Sequence, residues 1–270
     1  MIPRFHAPGV HGGEAVTLPR EEAEHLTRVL RLREGDAVRV FDGRGREYDA
    51  VVERLARSEV RVRAGAERQP PREPAVHVTL VQAVLKGDRM DAVVRDAVMM
   101  GVGAVVPLVS ARSEVSRAAL DRARRRERWQ RVAVASAKQC GRATVPAVMR
   151  PVDWTDWPAP GGLLLPEPRI ILVEPAAVRF PPRLEPPAPG ADASPGSSAS
   201  SWLLGAVAAT ATDVPDAATI VVGPEGGWTE EEVARMRGGA RLVCLGHLTL
   251  RAESAALVAL AALFTRWGVY

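Results

Sequence analysis

Two different rhythms of hydrophobic and polar residues divide the chain. Up to about residue 70 the apolar positions come in short alternating runs separated by turn formers: Ala15-Val16-Thr17-Leu18, then Ala37 to Phe41, Tyr48 to Val52 and Val60 to Val62. Alternation over Ala37-Val38-Arg39-Val40-Phe41, followed by Asp42-Gly43 and Gly45, predicts a hairpin, because glycine supplies the positive φ that a tight connection needs. One helix, from about Glu21 to Leu32, interrupts the strands, and the segment as a whole fits a small β-barrel.

The run Gln69-Pro70-Pro71-Arg72-Glu73-Pro74 breaks regular structure, since proline removes a donor and restricts its neighbour, and it sets a boundary between residues 1–70 and 75–270. Beyond it, continuous apolar strands alternate with amphipathic helices, the pattern of βα units around a parallel sheet. Strands are expected at His77 to Leu85, Ala104 to Val109, Ile170 to Val173, Thr219 to Val222 and Leu242 to Leu245. Met90, Val93, Val94 and Ala97 recur at helical spacing, giving a helix that Gly101 caps. Periodicity alone predicts an ordinary doubly wound sheet. From Pro181 to Ser201 proline, alanine, glycine and serine dominate, and this stretch is expected to be a disordered surface insertion.

Composition narrows the class. With 270 residues, 47% of them hydrophobic, the chain can build one large or two modest cores, and two domains fit better. A formal charge of +4 tolerates an acidic partner without naming one. Cys140 and Cys244 have neither metal-ligand spacing nor disulfide density, so a reducing cytosol, no metal and packing roles for both thiols are expected. The segment from Met1 to His6 starts no apolar leader, and the apolar run Ala255 to Phe264 is too short to span a bilayer, which predicts a cytoplasmic protein without a membrane partner. Lysine occurs only at Lys86 and Lys138.

Two glycine-containing turns carry the chemistry. Gly223-Pro224-Glu225-Gly226-Gly227-Trp228-Thr229 leaves a buried strand and enters a helix whose capping box is Thr229 with Glu232. It lacks a P-loop lysine and dinucleotide-fingerprint spacing, and Glu225 would repel a phosphate, so a cofactor without phosphate suits it. The second turn, Leu245-Gly246-His247-Leu248-Thr249-Leu250-Arg251-Ala252-Glu253-Ser254, leaves the last strand and runs into an almost wholly apolar helix that packs in a core or buries a subunit interface. In an open parallel sheet, loops at the carboxyl ends of strands meet at one crevice, so both turns should face one ligand.

With these turns, the chain resembles the SPOUT-class methyltransferases, and within them the RsmE family of 16S ribosomal RNA (uracil-N3) methyltransferases. The likeness takes in Arg4-Phe5, His25 with Arg28-Val29-Leu30-Arg31, Gly35-Asp36, Asp42-Gly43 and Tyr48. It continues through Lys86-Gly87-Asp88-Arg89, Gly101-Val102, Pro107, Arg112, Arg128-Trp129, Gln139 and Gly141-Arg142 to the two turns. The resemblance implies a trefoil-knotted α/β domain over a parallel sheet, preceded by a PUA-like β-barrel that binds RNA, and a homodimer. It implies S-adenosylmethionine, converted to S-adenosylhomocysteine, as cofactor, and 16S ribosomal RNA or the small subunit as partner. Cofactor contacts carried over by position fall on Leu172, Val173 and Glu174, on Gly223, Glu225, Gly226 and Gly227, and on Leu245, Gly246, Leu250 and Arg251. RNA contacts are expected at Arg4, Arg28, Arg31, Lys86, Arg112 and Arg142. The chain departs from the family at Leu248, where an arginine is usual, and at Met99, where a glutamate is usual.

Uridine N3 carries a proton between two carbonyls, so catalysis must favour its anion. Arg251 is expected to stabilise charge on the carbonyl oxygens, with Glu225 or His247 as proton acceptor. For Arg251 and Glu253 the competing role is an ion pair fixing the turn. The basic run Arg117 to Arg131 reads either as a solvated helical face or as a phosphate track. Other functional readings are ribose 2′-O methylation of another RNA and a noncatalytic RNA-binding assembly factor.

Overall fold

The computed structural model describes residues 2–56, 59–157, 165–175, 214–236, 238 and 240–270. The stretch Pro181 to Ser201, expected as a disordered insertion, lies outside them. The chain divides into two compact units. One comprises Met1–Glu73 with Ala133–Pro146, and the other Pro74–Val132 with Ala147–Tyr270.

The first unit is a curled five-stranded sheet in the order β1-β3-β4-β5-β2, with β1 Arg4–His6, β2 Ala15–Thr17, β3 Ala37–Phe41, β4 Glu47–Leu55 and β5 Val60–Arg68. Antiparallel β3 and β4 form the hairpin expected at Asp42-Gly43. In its loop Asp42 Oδ1 accepts from the Arg44 and Arg46 amides at 2.7 and 3.0 Å, while Gly43 and Gly45 take positive φ. Register shifts along β4 mark irregularities of the kind that bend a sheet. Strand β1, too short for alternation to reveal, runs parallel to β3. Phe5, Leu26, Val38, Val40, Val52 and Val62 fill the core. The helix expected over Glu21 to Leu32 is two pieces, α1 Arg20–Glu24 and a π-helical turn His25–Val29, and Arg31 follows at φ +54°.

The second unit is a seven-stranded parallel sheet in the order β12-β10-β11-β6-β7-β8, with β9 also paired to β7. Its strands are β6 His77–Ala83, β7 Ala104–Val109, β8 Ala147–Val148, β9 Val152–Asp153, β10 Arg169–Leu172, β11 Ala217–Val222 and β12 Ala240–Val243. The apolar runs form its interior, where Leu80, Leu108, Ile170, Ile171 and Ile220 are fully buried. Helix α2, Arg89–Met99, buries Met90, Val93, Val94 and Ala97 as their spacing requires. It ends in a Schellman motif, with the Val102 amide on the Ala97 carbonyl and the Gly101 amide on the Val98 carbonyl, each at 3.0 Å. Gly101 sits at φ +100°, and an added Cβ would meet Pro74 at 2.4 Å.

Helices α3 Arg117–Arg122 and α4 Arg125–Cys140 follow β7. Two further helices, α5 Glu230–Met236 and α6 Ala252–Arg266, follow β11 and β12. The chain leaves β12 at the sheet edge, yet α6 packs against α2 and β11 in the sheet's middle. Among the described residues no helix is long and apolar enough to cross a membrane.

Candidate active site

Three parallel neighbours, β12, β10 and β11, end on the same side of the sheet, and the loops after them enclose a cleft of about 400 Å³. Each loop is shaped by its own sequence. After β11, Gly223 lets the chain pass the Trp228 indole, which an added Cβ would approach to 3.0 Å, and the indole Nε1 donates to the Leu172 carbonyl at 2.8 Å. That bond ties the β11 loop to the end of β10. Gly227 takes φ +69°, and a Cβ there would stand 2.9 Å from Glu174 Oε1.

The turn is stopped by the expected capping box. The Thr229 amide donates to Glu232 Oε2 at 2.9 Å, and the Glu232 amide to Thr229 Oγ1 at 3.2 Å. Glu232 is fully buried, and its other oxygen accepts from the Ala111 amide at 2.8 Å. One carboxylate thus fixes the start of α5 to the loop after β7.

Nine of the eleven expected cofactor residues line the cleft: Leu172, Val173, Glu174, Gly223, Glu225, Gly227, Leu245, Leu250 and Arg251. Gly226 does not. It lies against the aliphatic part of Arg112, whose guanidinium donates to the Gly226 carbonyl. Gly246 is likewise absent from the lining, although its φ of +141° shapes the loop. Of the expected catalytic residues, Arg251 and Glu225 line the cleft, whereas His247 is exposed outside it. Arg251 is the N-cap of α6, with an exposed side chain.

Sequence reasoning missed Arg89 and Trp228, and left Glu253 undecided. Arg89, the first residue of α2, contacts Glu225 Oε1 at 2.7 Å, and the Lys86 amide donates to the same oxygen at 3.3 Å. Its position beside the carboxyl end of β6 was the available signal. Glu253 lines the cleft, makes no ion pair with Arg251, and has its Oε2 sealed from solvent with no hydrogen-bond partner among the described residues. Cys244, expected as an inert packing residue, is buried and also lines the cleft.

The lining therefore holds three carboxylates, Glu174, Glu225 and Glu253, against two guanidiniums, Arg89 and Arg251, and no lysine. Such a balance disfavours a phosphate and suits a ligand with positive charge and N–H or O–H donors.

The expected RNA contacts separate by burial. Arg4 is enclosed: its guanidinium pairs with Glu47 at 2.9 Å and donates to the carbonyls of Ala137, Lys138, Gly141 and Arg142. Arg142 is buried and bonded to Glu73 at 3.0 Å. Both guanidiniums are thus engaged by carboxylates or carbonyls of the first unit. Arg28 and Arg31 are exposed, beside Val29, itself 66% exposed, and the Lys86 ammonium forms a solvent-exposed pair with Glu114.

Comparison with known proteins agrees with this arrangement. The RNA methyltransferase domain family matches residues 71–162 and 197–264, and the RNA methyltransferase PUA domain family matches residues 18–64. Ribosomal RNA small subunit methyltransferase E of Mycobacterium bovis is 32% identical over 262 residues, covering 94% of this chain and 89% of that protein. The crystal structure of a ribosomal RNA small subunit methyltransferase E from Neisseria gonorrhoeae bound to S-adenosyl methionine is 29% identical, with TM-score 0.76, covering 99% of this chain and 98% of that one. A putative methyltransferase from Legionella pneumophila in complex with bound SAM is 26% identical, with TM-score 0.77, covering 98% of each chain. On the domain match over more than half its length and a nearly full-length relative at 32% identity, the chain belongs to the RNA methyltransferase family that includes ribosomal RNA small subunit methyltransferase E.

Proposed function

We propose that the chain methylates N3 of a uridine in 16S ribosomal RNA, using S-adenosylmethionine held in the cleft after β10, β11 and β12. The observation that carries this reading is the cleft's lining: backbone-rich glycine turns, an excess of carboxylates and no phosphate-binding lysine. Leu172, Val173, Glu174, Gly223, Glu225, Gly227, Leu245 and Leu250 would hold the cofactor, with Gly226 and Gly246 shaping the turns around it. When bound, the sulfonium supplies an electrophilic methyl carbon, so proximity and alignment provide much of the rate. Arg251, exposed at the cleft, stabilises negative charge spread onto the uracil carbonyl oxygens.

RNA is drawn in by exposed cations. Arg28 and Arg31 serve on the first unit, read as an RNA-binding PUA-like domain, and Lys86 and Arg112 on the second. A π-helical turn presenting Arg28 fits such a role, since these irregular turns recur at functional sites. Arg124, Arg125, Arg128 and Arg131, which line a shallow depression at the start of α4, extend the phosphate track. The chain works as a homodimer in the cytoplasm, in keeping with the exposed apolar Met99, Val258 and Tyr270. Its last segment, passing from edge strand β12 to the middle of the sheet, is read as the threading of a trefoil knot.

The test is to incubate the purified protein with S-adenosylmethionine and RNA or small subunits from a strain lacking the gene, and to identify the modified nucleoside by mass spectrometry. N3-methyluridine is expected. A ribose-methylated nucleoside would redirect the reading to 2′-O methylation, and cofactor-independent RNA binding with no product would make the protein an assembly factor.

A further inference from the structure

We propose that Glu253 takes the N3 proton of the target uracil, an assignment that rests on the uridine-N3 reading above. Methylated N3 carries no hydrogen, so one proton must leave the base in every turnover and some group must receive it. The acceptors expected from sequence, Glu225 and His247, are poorly placed. His247 stands outside the cleft lining, and Glu225 is committed to the Arg89 guanidinium at 2.7 Å and the Lys86 amide at 3.3 Å. A proton arriving on Glu225 would have to displace that ion pair. Glu174 is exposed to water and lies against the Gly227 turn.

Glu253 differs from all three. It lines the cleft from the first turn of α6, two residues after Arg251, and among the described residues no cation and no donor meets its carboxylate. A carboxylate that lines a ligand cleft and has neither cation nor donor of its own among the described residues can accept a donor that arrives with the ligand. Uracil N3–H is such a donor.

In the step, the N3–H bond breaks and leaves its electron pair on nitrogen, while the Glu253 carboxylate gains the proton and becomes a neutral carboxylic acid. The nitrogen pair forms the bond to the methyl carbon as the carbon–sulfur bond breaks toward sulfur, which leaves as a neutral thioether. Arg251 holds the charge on the flanking carbonyl oxygens, and the proton passes from Glu253 to water once product leaves. The N-cap of α6 and a residue of its first turn thus divide the work of making the anion.

The deciding experiment compares wild type with Glu253→Gln, which keeps shape and removes basicity. Calorimetry with S-adenosylmethionine should give an affinity within about threefold of wild type, while the single-turnover rate on uridine RNA falls by about 10² to 10⁴, the usual contribution of a positioned base. The residual rate should climb about tenfold per pH unit as the uracil ionises unaided. RNA carrying 5-fluorouridine at the target, whose N3–H is more acidic, should recover most of the loss, and Glu253→Asp should retain more activity than Glu253→Gln. An equal deficit on 5-fluorouridine RNA, or a cofactor affinity that falls in step with the rate, overturns the proposal. Wild type making N3-methyluridine while Glu253→Gln is unimpaired sinks the proposal alone, whereas wild type making no N3-methyluridine sinks the reading beneath it as well.

Discussion

Adjacent glycines in the turn after β11 have different reasons to be glycine, and they should respond differently to the same methyl group. At Gly226 an added Cβ meets only the Arg112 side chain at 3.4 and 3.5 Å, ordinary contact with a flexible partner, and the residue does not line the cleft. At Gly227 the φ of +69° is strained for any other residue, and the Cβ would press within 2.9 Å of the Glu174 carboxylate. Gly226→Ala should therefore bind S-adenosylmethionine within about threefold of wild type. Gly227→Ala should cost about 1–2 kcal/mol of stability and weaken the cofactor at least about tenfold, because Glu174 must swing from its place in the lining. Calorimetry of both folded variants checks this, and equal affinities would mean that Glu174 does not contact the cofactor. At this scale the sequence named most of the lining but not its accounting. That Arg4 and Arg142 are enclosed depends on Glu47, Glu73 and carbonyls up to 138 positions away, which no local pattern can reveal. The freedom of Glu253 is legible only once Arg251 is seen not to pair with it.

Among the elements, α5 shows how a local signal and a distant contact share one residue. The Thr229–Glu232 pairing is readable from spacing, since a hydroxyl and a carboxyl three residues apart can satisfy each other's amides. Its second use is not readable: Glu232 also accepts from Ala111, 121 positions away, and is wholly shielded from solvent. Glu232→Ala would leave the Ala111 and Thr229 amides without their acceptor and open a void beneath the turn. A loss of about 2–4 kcal/mol is expected, larger than for a surface cap alone, measured as a lowered denaturation midpoint. A loss below about 1 kcal/mol would mean that the loop after β7 finds another acceptor. The helix expected over Glu21 to Leu32 illustrates the converse. Its apolar spacing is helical, but the turn His25–Val29 is wound as a π-helix, with Leu30 bonded back to His25 at 3.0 Å, a distinction that hydrophobic period is too coarse to register.

At the scale of the whole chain, the proline run at Gln69 to Pro74 marks where the first unit's long segment ends, but that unit also includes Ala133–Pro146, the second half of α4 and the loop beyond it. Those residues form helix followed by loop, and nothing in their sequence pattern says to which core they belong. The contacts within the unit do. Arg4 donates to four of their carbonyls, Lys138 Nζ meets Glu22 at 2.7 Å and sits over the Phe5 ring, and Thr144 bridges to Gly43 and Arg44. A fragment from Arg72 to Tyr270 keeps every residue that lines the cleft, so its affinity for S-adenosylmethionine should stay within about threefold of the full chain. It loses Arg4, Glu22, Phe5 and Gly43, however, and Lys138 would be left without its carboxylate. Hydrogen exchange over Ala133–Pro146 should accordingly quicken by orders of magnitude while β6, β10 and β11 remain protected. The fragment also lacks Arg28 and Arg31. If each neutralises one phosphate, the slope of log affinity for RNA against log salt should become shallower by about 1.5, and methylation should fall with it. Unchanged protection over Ala133–Pro146 would show that this segment folds without the sheet it packs in, and an unchanged salt slope would remove the first unit from RNA binding.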